Sequence, residues 1–168
     1  AQSLYEGMLQ LQHRGQDAAG IITLNEVFFV KHGLGKVNGI FTPTELGMLK
    51  GSIGIGHTRY PTSGAAKIED AQPFYQKSDH LGLALAHSGH LHNITAINKH
   101  SPAINANVQS NVDSNSLLHF LSRLLERSLK AYPDKAFFSL LTEAINRIFQ
   151  QVHGSYSVVS LIAGKGLL

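Results

Sequence analysis

Arg59 is the side chain with the most chemistry to offer. It lies in the string Gly56-His57-Thr58-Arg59-Tyr60-Pro61-Thr62, just after a glycine-rich strand, and the Tyr60-Pro61 step forces an extended exit. A guanidinium there can take a carboxylate through two parallel hydrogen bonds, which a lysine cannot imitate, or it can satisfy loop carbonyls. Asp113, in Asn111-Val112-Asp113-Ser114-Asn115, stands immediately before a leucine-rich helix, where Asp is a favoured N-cap. Ser88-Gly89, in Leu85-Ala86-His87-Ser88-Gly89-His90-Leu91-His92-Asn93, suits a turn after a strand. Arg14, in Leu11-Gln12-His13-Arg14-Gly15-Gln16-Asp17-Ala18-Ala19-Gly20, reads as a cation at a helix end, solvated or facing the helix dipole. His87, His90 and His92, with His57 on another strand, could place imidazoles on zinc, but no cysteine or acidic ligand accompanies them, and no metal is assigned. Gly33-Leu34-Gly35-Lys36 and Gly164-Lys165-Gly166 lack the spacing of a phosphate loop with Ser or Thr after the lysine, so no nucleotide site is assigned either.

These residues need a scaffold, and the hydrophobic pattern supplies one. Leu4, Met8 and Leu11 recur at helical spacing over residues 2–12. Ala19–Leu24 and Val27–Lys31 are β-rich and read as a hairpin about Asn25-Glu26. Pro43 opens a short helix through Leu49, capped by Thr42 or Thr44. Ser52–His57 and Leu81–His87 read as strands, the first with alternating glycines that leave room for close backbone approach. The polar loop from Pro61 to about Phe74 is long enough to suggest a function. Beyond it, Leu117, Leu118, Leu121, Leu124 and Leu125 share one helix face up to Tyr132-Pro133. A second helix over residues 135–152 is read with Phe138, Leu141, Ile145, Ile148 and Phe149 inward, and the buried-looking strand Tyr156–Ile162 follows Gly154. Strands, then paired helices, then a strand predict a layered α+β domain.

The 168 residues, 43% of them hydrophobic, suffice for one core and one domain. A net charge of +3 without a dense basic stripe argues against a nucleic-acid partner. No apolar run is long enough for a membrane span, and the expected location is cytoplasmic. There is no cysteine, which excludes disulfides and thiolate chemistry within these residues. A start at Ala1 and a strand-like segment near the end lead us to expect a piece of a longer polypeptide.

Taken in order, the strings around His13, Arg59 and Gly89 resemble the class II glutaminase domain of the amidophosphoribosyltransferase family. The resemblance implies a four-layer αββα N-terminal nucleophile hydrolase sandwich, two antiparallel sheets face to face with helices outside. It implies that an N-terminal cysteine attacks the carboxamide of L-glutamine, and that the released ammonia meets phosphoribosyl pyrophosphate in a second domain to give 5-phosphoribosylamine for purine synthesis. It assigns Arg59 to the substrate α-carboxylate and Asp113 to the α-ammonium; an Arg and an Asp at opposite ends of a pocket select a zwitterion, because each desolvated charge needs a counter-charge. Ser88-Gly89 occupies the oxyanion-hole position, where the family has Asn-Gly; the shorter serine weakens that hole and leaves the Gly89 N–H as its surviving half. Asn115 stands where the family usually has glutamate. Arg14 is implied to support the nucleophile, since a nearby cation favours a thiolate. The loop from Pro61 to Phe74 corresponds to a glutamine lid, with Gly64-Ala65-Ala66 as its flexible part.

By the same resemblance the cysteine is expected about a dozen residues before Ala1. The phosphoribosyltransferase domain is expected after Leu168, with Mg2+ there and no cofactor in residues 1–168. A homo-oligomer, a tetramer, is implied for the full-length protein. On this reading the 168 residues alone form no thioester. A non-catalytic amidotransferase-like module that binds glutamine or a protein stands as the alternative.

Overall fold

The computed structural model describes residues 1–60, 67–78, 81–93, 97 and 112–168. Its helices and strands are α1 (Gln2–Gln10), β1 (Ala18–Leu24), β2 (Phe28–Leu34), α2 (Val37–Ile40), α3 (Pro43–Met48), β3 (Ile53–Arg59), β4 (Phe74–Lys77), β5 (Gly82–Leu91), α4 (Asp113–Ala131), α5 (Phe137–Gln151), β6 (Gly154–Ile162) and β7 (Gly166–Leu167). Short 3-10 turns at Gln12–Arg14 and Ile68–Asp70 complete them.

The strands form two antiparallel sheets, ordered β2-β1-β3 and β4-β5-β6-β7. Alternation along each strand divides the apolar residues between two faces. On β1, Ala19 and Ile21 face a core shared with Met8, Val37, Ile40, Phe41 and Leu49 from the first three helices and their connections. Ile22 and Leu24 face the other way, joining Ile55 of the same sheet and Ala84, Ala86 and Leu161 of the second. On β5, Leu83 and Leu85 meet the leucine face of α4 and Leu141, Ala144 and Ile148 of α5. Helix, sheet, sheet, helix is therefore the layer order, as the resemblance implies, and β1 is buried at all seven positions because both of its faces are covered.

Close approach of α1 to β3 depends on the predicted glycines. A Cβ at Gly56 would lie 2.5 Å from the Met8 sulfur, and one at Gly54 would lie 2.9 Å from a Leu4 methyl. Thr42, not Thr44, caps α3. Its hydroxyl accepts the Glu45 N–H while the Glu45 carboxylate accepts the Thr42 N–H, a capping box that also brings Glu45 to Lys31.

Several expectations change. α5 turns Phe138 (65% exposed) and Phe149 (67%) outward and buries Leu140, Leu141, Ala144 and Ile148. Of the strand expected to be buried, only Ser160, Leu161 and Ile162 are; the first half of β6 pairs with the cleft-lining half of β5 and is largely exposed. β5 does not stop at His87 but continues to Leu91, so Ser88-Gly89 is strand and not turn. α2 and β4 go beyond the elements read from the sequence. No helix among the described residues is long and apolar enough to cross a membrane.

Candidate functional site

A cleft of about 610 Å³ opens between the C-terminal end of β3, the C-terminal half of β5 and the start of α4. Arg14, Arg59, Ser88, Gly89 and Asp113 all line it. Five residues picked from three separate strings and a helix start thus converge on one concavity, with His57, Asp70, Gln72, His87 and His90 in the same wall.

Arg59 is the last residue of β3 and is buried, with its side chain in the cleft. One guanidinium nitrogen, Nη2, lies 3.7 Å from the Asp70 carboxylate. Its backbone is fixed from the opposite side: the Asp17 N–H donates to the Arg59 carbonyl, and Gly15 packs so closely that a Cβ there would lie 2.6 Å from the Arg59 carbonyl carbon. The turn bearing Arg14 is thereby anchored against the end of β3, which explains why the two arginines share a cleft although they lie far apart in the chain.

Asp113 is not the N-cap of α4. Val112 holds that position. The Asp113 carboxylate instead reaches β5, accepting the Leu91 N–H at 2.9 Å, with His90 Nδ1 3.6 Å from the same oxygen. At the first helical residue it also faces the positive end of the α4 dipole. Asn115, where the resemblance leads one to expect glutamate, is buried in the first turn of the helix.

Ser88 and Gly89 are exposed on the cleft wall. Gly89 has φ +140°, and a Cβ on it would lie 2.0 Å from the Ser155 carbonyl oxygen of β6. Only glycine lets the two backbones run this close.

The histidines are set apart by the fold. His87 Nδ1 lies 3.1 Å from the Ser114 hydroxyl of α4, while the His90 ring meets His92 edge-on at 5.1 Å. No group of three or more potential ligands converges among the described residues, so the zinc alternative gains no support. Burial lowers the pKa of His57 to about 4, with the neighbouring His87 and Arg59 acting in the same direction. Burial also lowers that of His87, partly opposed by the Asp113 charge. Burial thus disfavours charge on both imidazoles, while Arg14 and Arg59 bring permanent positive charge to the cleft.

Of the expected lid, residues 61–66, including Gly64-Ala65-Ala66, lie outside the described residues. Residues 67–74 are tied down by the ion pair of Asp70 with Arg59, by two hydrogen bonds between the Gln72 amide and the His87 backbone, and by His32 Nε2, 2.9 Å from the Pro73 carbonyl. Asp70 and Gln72 are residues of the wall that sequence reasoning missed. A buried glutamine carries no motif, and its place just before a proline is the one signal that could have pointed to it.

No family model matches the chain. Curated relatives do. The amidophosphoribosyltransferase of Pasteurella multocida is 37% identical over 171 residues, covering 99% of this chain and 33% of the relative. That of Schizosaccharomyces pombe is 38% identical over 168 residues, covering 98% of this chain and 31% of the relative. This chain therefore spans about a third of the length of these relatives. Among solved structures, an allosteric regulatory enzyme of purine biosynthesis aligns with a TM-score of 0.77 at 29% identity, over 96% of this chain and 32% of that one. A glutamine phosphoribosylpyrophosphate amidotransferase from B. subtilis, complexed with ADP and GMP, aligns with a TM-score of 0.73 at 29% identity, over 95% and 32%. The resemblance read from three strings extends over nearly the whole chain, and the fold is the αββα N-terminal nucleophile hydrolase sandwich.

Proposed function

We propose that this chain is the glutamine-hydrolysing domain of an amidophosphoribosyltransferase, releasing ammonia from L-glutamine for 5-phosphoribosylamine synthesis from phosphoribosyl pyrophosphate in purine biosynthesis. The observation that carries this reading is a single cleft holding a buried arginine and a helix-start aspartate with the Ser88-Gly89 strand in the same wall. Arg59 takes the α-carboxylate through the guanidinium donors that Asp70 leaves open, and Asp113 takes the α-ammonium. The side-chain carboxamide then lies along β5, where the Gly89 N–H donates to its oxygen.

The chemistry on this reading is acyl transfer to a thiolate. Sulfur attacks the carboxamide carbon, charge collects on the oxygen, and the C–N bond breaks as nitrogen leaves with a proton as ammonia. Water then hydrolyses the thioester to glutamate. The 168 residues contain no cysteine, so on this reading they supply the substrate-binding wall and not the nucleophile. Arg14 supplies positive charge beside the place where the thiolate forms. Ser88 offers one short rotatable donor in place of an amide, so the burden of oxyanion stabilisation falls on Gly89. No metal enters these steps. We assign Mg2+ and phosphoribosyl pyrophosphate to the remaining length of the relatives, and a cytoplasmic homo-tetramer to the full-length protein.

The alternative of a non-catalytic module is not favoured, because relatives matching the whole chain are named as transferases. Calorimetry with truncated ligands tests the reading. Glutaramate lacks the α-ammonium and 4-aminobutanamide lacks the α-carboxylate, and each should bind at least about tenfold more weakly than L-glutamine. Equal affinity for all three would overturn it.

A further inference from the structure

β5 pairs with β6 along one edge, and what occupies its other edge decides where the cleft donors point. Even-numbered residues turn their backbone groups toward β6: the Gly82 carbonyl accepts the Ala163 N–H, and the His92 N–H donates to the His153 carbonyl. Odd-numbered residues turn to the opposite edge, as the alternation of an antiparallel ladder requires. There the Leu81 carbonyl accepts the Ser78 N–H, and β4 covers Leu83 and Leu85.

The β4–β5 ladder ends at Phe74, opposite Leu85, and the Pro73 carbonyl turns away from β5 to His32. At the next odd position, His87, the Gln72 side chain replaces the missing strand. Its Oε1 accepts the His87 N–H at 2.8 Å and its Nε2 donates to the His87 carbonyl at 3.1 Å, which is the two-bond pattern of a strand pair supplied by one amide. Two positions further on, the Asp113 carboxylate takes the Leu91 N–H. Gly89 lies between these two anchors, and its N–H faces the cleft.

Gln72 is itself built in. It is 5% exposed, and its backbone carbonyl occupies the space a Cβ on Gly20 would fill, at 2.2 Å. The His32 ring holds the following carbonyl, and Asp70, two residues earlier, meets Arg59. One short segment therefore touches both the carboxylate clamp and the oxyanion strand.

We propose that Gln72 is a positioning residue, which holds the Gly89 N–H on the substrate carboxamide by pairing through its side chain with the backbone of His87. This rests on the glutamine reading of the cleft. The test is amide NMR of the 15N-labelled chain, titrated with L-glutamine, for wild type and Gln72→Met, which keeps the volume and removes both hydrogen bonds. Clamped by Arg59 and Asp113, glutamine should bind the variant within about fivefold of wild type. The glutamine-induced shift of the Gly89 amide should fall by at least about half, and exchange of the His87 amide should accelerate at least about tenfold.

Should Gln72→Met fail to fold, Gln72→Glu retains the acceptor for the His87 N–H and should keep its amide protected while reducing the Gly89 shift. A wild-type Gly89 response in the variants would overturn the proposal, as would loss of binding together with shifts across the whole spectrum, which marks a merely structural role. Absence of any response in wild type would instead remove the glutamine reading, while the His87 exchange rate still judges the pairing.

Discussion

The Arg59 guanidinium lies 3.7 Å from the Asp70 carboxylate, at the mouth of the cleft that also holds Asp113. In the absence of substrate, Asp70 is thus a counter-charge for a buried cation. A guanidinium carries five N–H donors in a planar fork, more than one carboxylate can take up, so an incoming carboxylate still finds partners on Arg59.

Replacing Asp70 with Asn should leave Arg59 under-compensated and lower stability by about 2 kcal/mol. Glutamine would then restore the missing negative charge, so the melting-temperature rise it causes should be larger in Asp70→Asn than in wild type. Thermal denaturation with and without glutamine reads both effects; a smaller rise in the variant would mean that Asp70 orients Arg59 and does not neutralise it.

Gly89→Ala should be among the most damaging single-methyl additions in the chain. The residue has φ +140°, and the new Cβ would sit 2.0 Å from the Ser155 carbonyl. A loss of about 3 kcal/mol or more is expected in denaturant titration. Gly7→Ala is the contrasting case: it adds the same atom to α1 with nothing within 4 Å and should stabilise by about 1 kcal/mol. Similar effects from the two substitutions would contradict the packing of β5 on β6.

Acid should weaken the fold through its buried histidines. His57 stays neutral in the folded protein down to about pH 4, while its unfolded form takes up a proton near the ordinary 6.5. The depressed folded pKa means that this contribution is complete above 6.5 and is lost as pH falls toward 4, amounting to about 3 kcal/mol over that window. His32, His87 and His119, also lowered by burial, act with the same sign. Urea titrations at pH 7 and 5 measure the effect, and in His57→Gln the slope should flatten. An unchanged pH dependence would show that His57 gains its proton in the folded state.

The sequence shows much of this arrangement, for physical reasons that vary by residue. The leucine face of α4 is legible because its period matches a helix and every member is buried. The cap of α3 is legible only as Thr42 or Thr44; the capping box of Thr42 with Glu45 decides between them. α5 misleads because two stripes overlap at helical spacing, one through Phe138 and Phe149 and one through Leu140, Ala144 and Ile148. The second stripe wins since Ala144 admits close packing in the core shared with α4. Asp113 is ambiguous in sequence because a helix-start carboxylate suits both a cap and a ligand; its actual bond, to Leu91 of another element, is a tertiary fact. Gln72 is opaque for the same reason, since what it replaces is a strand that ends at Phe74.

The most direct measurement of the central claim is a calorimetric titration of L-glutamine into wild type and Arg59→Ala, each repeated with 4-aminobutanamide. The account predicts that wild type binds L-glutamine, that Arg59→Ala weakens it about a hundredfold, and that the variant no longer distinguishes the two ligands, because the carboxylate has lost its partner. Equal glutamine affinity in wild type and Arg59→Ala would contradict it.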